Sequence, residues 1–139
     1  MGKPIIPTDR EILQKIFDRY YEKYAEFSRE APSRSAKIYV PIDCSEVSRN
    51  FGIDVDIVFG RLYYHLEKKF GYTQPDGSKV HFFMLKAGSD SHCVNFPLLT
   101  SALAGLHEEH RKQTWAVGFS IASLIVSIVS VVISIWGKT

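Results

Sequence analysis

Apolar positions along the chain keep different rhythms in different segments. From Pro7-Thr8-Asp9-Arg10-Glu11 onward, Ile12, Leu13, Ile16, Phe17, Tyr20, Tyr24 and Phe27 recur at intervals of three and four, which predicts a helix with one apolar face. Thr8 with Glu11 three positions later has the spacing of a capping box, so the helix starts there. It is expected to run toward Pro32, giving an N-terminal helical segment over residues 1–31 with "APSRSA" as its loop. "KIYVPID" alternates enough for a short strand, and Pro41 marks an edge position or the strand's end. Asp43 and Glu46 repeat the cap spacing and open a short helix through Val47 and Phe51 that stops at Gly52. Asp54 then caps a third helix reaching about Lys69, with Val55, Val58, Leu62 and Leu66 on one face and Phe59, Tyr63 and Phe70 beside it. "YTQPDGSKVHFFML" reads as strand, turn, strand, since Pro75-Asp76-Gly77 supplies turn chemistry between β-prone runs. Residues 36–88 thus hold two helices and a hairpin, and the Gly-Ser-Asp stretch "AGSDSHCVNFP" reads as a loop, with 89–97 as a linker.

Beyond the linker the rhythm changes twice. Leu99, Ala102 and Leu106 place an amphipathic helix over residues 98–113, able to run unbroken into the segment that follows, unless Leu98, Leu99, Leu103 and Leu106 simply pack on the preceding domain. Residues 115–136, "WAVGFSIASLIVSIVSVVISIW", carry no charge and suit a membrane-spanning helix over 114–136, because about 20 apolar residues at 1.5 Å each cross a hydrocarbon core. Trp115 and Trp136 sit roughly 31 Å apart on a helix, so each indole reaches one membrane interface. Serines 120, 123, 127, 130 and 134 follow a helical period, which argues against a strand. With flanking small residues they form a seam of Ala116, Ser120, Ser123, Ser127, Ser130, Ser134 and Gly137 at alternating spacings of four and three. Small residues and hydroxyls drive helix association in lipid, so the seam predicts a homodimer or higher homo-oligomer; the bland alternative is that each hydroxyl bonds back to its own helix. A serine-lined bundle would also suit a scaffold or pore.

Charge sharpens this division. Of the 17 basic and 15 acidic residues, Lys138 alone lies beyond residue 112. Arg111 and Lys112 before the span against Lys138 after it favour a single-pass protein with its N-terminal domain in the cytoplasm and a short tail outside. The net charge of +2 is too small to imply a polyanionic partner by itself. Cys44 and Cys93 stand 49 positions apart and signal neither a metal pair nor a disulfide framework.

The order helix, strand, helix, turn, helix, hairpin resembles the winged helix-turn-helix superfamily. The residues carrying the resemblance are Val47, Phe51, Gly52 and Ile53 at the turn, then Leu62, Leu66 and the "LEKKFGY" exit into the hairpin. It covers roughly residues 9 to 86. One departure is visible, in that four residues rather than three separate Leu66 from Gly71. The fold expected is therefore α+β: a small winged helix-turn-helix domain followed by an amphipathic helix and a single transmembrane α-helix.

In that superfamily the third helix commonly enters the major groove and the wing touches phosphate, so the resemblance implies duplex DNA as a candidate partner. Candidate contact residues are Arg49, Asn50, Arg61, Tyr64, His65, Lys68, Lys69 and Lys79. Against this, the first turn of the third helix offers Asp54, Val55 and Asp56, and carboxylates there repel phosphate, although acids also stabilise helix N-termini. The competing partner is another protein, for which the aromatic load of Tyr39, Phe59, Tyr63, Tyr64, Tyr72, Phe82 and Phe83 supplies contact surface. A continuous positive strip over Arg61, His65, Lys68 and Lys79 would favour DNA, and a mixed field would favour protein.

Catalytic chemistry is not signalled. His107 and His110 are three apart rather than four and lack a third ligand, and His92 beside Cys93 has no orienting acid. With no phosphate-cradling glycine loop, the chain reads as a non-enzyme without cofactor or metal, acting by binding at a membrane.

Overall fold

In the computed structural model of the chain, residues 2–138 are described. They form two units, Met1–Ala104 and Gly105–Thr139.

The first unit mixes helices with small antiparallel sheets. Its opening helix α1 (Asp9–Ala25) begins at the predicted capping box: Thr8 Oγ1 accepts the Glu11 N–H (3.1 Å) while Glu11 Oε1 accepts the Thr8 N–H (3.1 Å). Ile12, Leu13, Ile16 and Tyr20 are buried, as the spacing predicts. A short strand β1 (Tyr39–Pro41) leads to α2 (Cys44–Phe51), capped by Asp43 and closed by Gly52 in the left-handed region at φ 64°. Next comes α3 (Val55–Gly60), capped by Asp54, which continues without a break through a π turn (Arg61–Leu66) into α4 (Glu67–Phe70). Val58, Leu62 and Leu66 are fully buried at four-residue intervals. An α-helix drifts roughly 40° per four residues; the wider π turn winds less per residue and keeps all three side chains on the core.

Two findings depart from the sequence expectations in the first unit. α1 stops at Ala25 rather than near residue 31, because Arg34 caps it from the loop. The Arg34 guanidinium is buried and donates to the carbonyls of Lys23 (3.0 Å), Tyr24 (3.3 Å), Ala36 (3.0 Å) and Lys37 (2.6 Å). It also lies over the Phe27 ring at 4.9 Å. Orphan carbonyls of the last turn are thereby satisfied by one side chain. The second departure is the expected linker over 89–97, most of which is strand β5 (Asp90–Asn95).

Strand β5 is the centre of the main sheet, whose order is β1-β5-β4 with β4 (Phe83–Ala87) as its other partner. Tyr39 pairs with Asn95 and Phe83 with Val94, both pairings antiparallel. Gly88, at φ 65°, supplies the turn between β4 and β5. Cys93, Val94 and Asn95 are buried, which makes the strand part of the core. The predicted hairpin is also divided: β2 (Tyr72–Thr73) pairs with β3 (Lys79–Val80) as a separate small ribbon, and the chain then bends at residues 81–82 to enter β4.

The helices expected over 98–113 and 114–136 are one element, α5 (Phe96–Trp136, 41 residues). Asn95 caps its start, its Oδ1 accepting the Leu98 N–H (3.2 Å). Phe96, Leu99, Ala102 and Leu103 are buried within the first unit, where Phe96 stacks on Phe17 and Tyr24 at centroid distances of 5.9 and 4.8 Å. Packing on the domain therefore accounts for the leucines at the start of this helix.

In the second unit α5 carries the apolar run. Among the described residues it is the one helix long and apolar enough to cross a membrane, with a mean hydropathy of 2.5 over its most apolar window and none of that window buried. Trp115, Leu124, Ile125, Ile133 and Trp136 are all more than half exposed, so this apolar surface lacks a protein core around it.

Candidate partner-binding site

The residues singled out on the third helix do not share one surface. Arg61, His65 and Lys69 turn toward α1 and converge on Asp9. Arg61 Nη1 donates to Asp9 Oδ1 (3.0 Å) and to the Pro7 carbonyl (3.1 Å), while His65 Nε2 and Lys69 Nζ lie 2.9 and 3.2 Å from Asp9 Oδ2. Residues at i, i+4 and i+8 would drift roughly 80° around a regular α-helix. The π turn between them reduces that drift, so all three reach one carboxylate. Burial raises the Asp9 pKa, but hydrogen bonds from His65, Lys69 and Arg61 outweigh it and hold the carboxyl below its ordinary value.

Tyr64 and Lys68 lie on a different face, over a groove of about 560 Å³ between the third helix and β4. The helix contributes Tyr63, Tyr64 and Lys68 to its lining. Strand β4 contributes Phe83, Met84, Leu85 and Lys86, so aromatic and apolar side chains line the groove together with two lysines. Tyr64 is 71% exposed and Tyr63 39%, so both stand at the surface rather than in the core. Both belong to an aromatic array: Tyr63 packs on Tyr64 and Phe59, and Phe59 meets Phe83 and His92.

Glu67 sets the end of the groove. Its Oε2 accepts the N–H groups of Phe82 and Phe83, both at 2.7 Å, and its Oε1 lies 2.7 Å from His81 Nδ1. One carboxylate thus fixes the bend at which the chain leaves β3 and enters β4. Gly71 lets the chain pass close to it, since a Cβ there would come within 2.6 Å of the Glu67 carbonyl.

The remaining predicted contact residues are scattered. Lys79, on β3, is exposed and shares a smaller groove of about 210 Å³ with Lys68 and Tyr72. Arg49 and Asn50 are exposed at the end of α2, where Asn50 Nδ2 donates to the Glu46 carbonyl (2.9 Å). At the start of the third helix Asp54, Val55, Asp56 and Ile57 are all exposed. The field over this face is therefore mixed, with cations beside Asp9, two aspartates at the helix start and lysines confined to the groove and the ribbon.

Neither thiol is placed for chemistry. Cys44 and Cys93 are both free and buried, and burial, helped by Asp43, pushes the Cys44 thiol up to about 11. Among the described residues no three His, Cys, Asp or Glu side chains stand close enough to share a metal ion.

Within the second unit, the hydroxyls of Ser120, Ser127 and Ser130 donate to the carbonyls of Ala116, Ser123 and Val126 at 2.9 to 3.0 Å. Those three serines are satisfied inside their own helix. Ala116, Ser123, Ser134 and Gly137 complete the predicted stripe along α5 and the turn after it.

Sequence reasoning missed Asp9, Glu67 and Lys86. Asp9 stands in the stretch that opens α1, where acids are common, and nothing local points from it to the third helix. Glu67 and Lys86 had no local signal, because their roles depend on contacts 14 to 16 residues away or on the placement of β4. No family of sequences, no curated protein and no solved structure matches this chain.

Proposed function

We propose that the protein is a membrane-anchored regulatory module that works by binding another protein. The membrane part of this reading rests on the uncharged run from Trp115 to Trp136, which is exposed and long enough to span a bilayer. Arg111 and Lys112 ahead of the run, against Lys138 after it, support a cytoplasmic N-terminal unit. The small-residue stripe adds self-association of the span as part of the proposal, with packing geometry rather than interhelical hydroxyl bonds as the drive, since three of its hydroxyls bond inside the helix.

The observation that carries the choice of partner is the convergence of Arg61, His65 and Lys69 on Asp9. Two of the cations that a DNA reader would present, Arg61 and Lys69, are spent with His65 on an intramolecular carboxylate, and two more carboxylates, Asp54 and Asp56, stand at the start of the same helix. What stays open is a groove with exposed tyrosines, the residue type enriched at protein interfaces.

DNA binding is the second reading. It is supported by the resemblance of the element order, up to the small β2-β3 ribbon, to the winged helix-turn-helix superfamily, and by Lys68, Tyr72 and Lys79 lying together beside that ribbon. The two readings separate in a salt series with the full chain in detergent micelles and mixed-sequence duplex DNA. Phosphate contacts impose a slope of about −0.9 per neutralised charge on log affinity against log salt. We expect no binding above the background of empty micelles; a slope of several units, lost with Lys68→Ala and Lys79→Ala, would establish the DNA reading.

A further inference from the structure

We propose that the open edge of β4 receives an extended, acidic segment of a partner protein as an added strand, its side chains seated in the groove beside the third helix. This rests on the protein-binding reading above and names the chemistry of the partner.

The main sheet has two edges, and they are built differently. Strand β1 carries Pro41, which lacks a donor and blunts that edge. Strand β4 carries no proline over Phe83–Ala87, and among the described strands it pairs with β5 alone. Its other side borders the 560 Å³ groove, a volume within the range of sites that enclose a ligand. The helix opposite makes this a slot between a helix and a strand edge, where main-chain bonding supplies affinity and alternate side chains supply specificity.

Glu67 closes the start of that edge from within the chain. Its carboxylate accepts the Phe82 and Phe83 N–H groups at the bend that leads into β4. The edge beyond Phe83 is left for a partner, and about four residues of extended chain, roughly 13 Å, would cover Phe83 to Lys86.

Charge selects the occupant. Glu67 is the one carboxylate in the lining, and it is already engaged by two N–H groups and His81. Lys68 and Lys86, both exposed, outnumber it two to one, so the lining carries a formal charge of +1 with His81 neutral. A segment alternating acidic with apolar residues places carboxylates near the two lysines while its apolar side chains meet Phe83, Tyr63 and Tyr64.

The test uses the full chain in detergent micelles and a fluorescent peptide of alternating Glu and Val, with Lys-Val and backbone N-methylated Glu-Val peptides as controls. We expect the Glu-Val peptide to bind and the Lys-Val peptide to fail. N-methylation of the central amides should weaken binding about tenfold or more, because it removes ladder donors. Lys68→Glu with Lys86→Glu should weaken it by a similar factor; both residues are exposed, and unchanged near-ultraviolet circular dichroism will certify the fold. Saturable Glu-Val binding that is indifferent to N-methylation overturns the added strand, and absence of binding at millimolar peptide overturns the proposal. Either result, with duplex DNA also inert, leaves the protein-binding reading standing; duplex DNA binding with a steep salt slope would instead overturn that reading.

Discussion

Replacing Arg34 should show how far one buried cation holds the N-terminal unit together. Arg34 is 6% exposed and donates to four carbonyls, two in the last turn of α1 and two in the loop leading to β1. Burial lowers its pKa, and the facing groups are carbonyls and rings rather than a bonded carboxylate, so the bonds must offset its desolvation. Hydrogen bonds to a charged group contribute about 1.5–3 kcal/mol each when counted singly. Four that share one guanidinium are not additive, and water will reach some of the freed carbonyls. Arg34→Ala should therefore destabilise by about 3–5 kcal/mol, near the upper end for single substitutions. Arg34→Lys keeps the charge but not the planar fork, and should cost about 2 kcal/mol. The assay is urea unfolding of the full chain in detergent, followed by near-ultraviolet circular dichroism of the tyrosines, since both tryptophans flank the apolar run. If both variants unfold within about 0.5 kcal/mol of the parent, or Lys and Ala are indistinguishable, the capping account of Arg34 is wrong.

Three further outcomes follow from the same geometry. Asp9→Asn should cost about 1–2 kcal/mol, because two of its three partners, His65 and Lys69, are about half exposed and screened by solvent. The Asp9 pKa lies below its ordinary value of 3.8, so its contribution is complete above that value and is lost as pH falls through the lower one; acid unfolding of parent and variant should converge below pH 3.8, and a constant gap would refute the ion-pair assignment. Gly71→Ala should destabilise by about 1–3 kcal/mol through contact with the Glu67 carbonyl, read as a fall in the melting temperature of the N-terminal unit. Substituting Ser123, Ser127 and Ser130 by leucine should weaken self-association in a membrane two-hybrid reporter, and unchanged signal would remove the small-residue stripe as an interface.

The parts of this fold that could be read from sequence are those written in local chemistry. Thr8 with Glu11, Asp43, Gly52 and Asp54 mark helix ends through bonds that span two to four residues, and each is where the sequence suggests. The end of α1 was misjudged because apolar spacing continues to Phe27 while the stop is imposed by Arg34, which reaches Lys23 across 11 positions. Strand β5 was hidden by its polar half, since Ser91 and His92 are exposed and only Cys93, Val94 and Asn95 are buried. A signal was nevertheless present: Gly88-Ser89 between two β-prone runs is a two-residue hairpin turn. On the candidate surface, spacing suggests one face for Arg61, Tyr64, His65 and Lys68 with Lys69 beside them, but the structure divides the set, and spacing could not reveal Asp9, which draws off Arg61, His65 and Lys69. Tyr64 and Lys68, four apart, do share the groove.

A further consequence concerns the π turn. The four residues between Leu66 and Gly71 belong to a helix whose preceding turn is already widened, and π turns recur at functional positions. Here the widened turn has a visible effect, since it carries Arg61, His65 and Lys69 to Asp9 and leaves Tyr64 and Lys68 over the groove.

The most direct test of a membrane-anchored module is the depth of its apolar helix in a bilayer. Three single-tryptophan forms of the full chain serve: Trp115 alone, Trp136 alone, and Val126→Trp with both native indoles replaced by phenylalanine. In vesicles containing lipids brominated at shallow or deep acyl positions, a spanning helix places the two ends near the interfaces and residue 126 about 15 Å deeper. We expect shallow bromines to quench Trp115 and Trp136 most strongly and deep bromines to quench the indole at 126. Equal, shallow quenching at all three positions would mean that the helix lies along the surface, and no quenching by lipid at any of them would contradict the anchor itself.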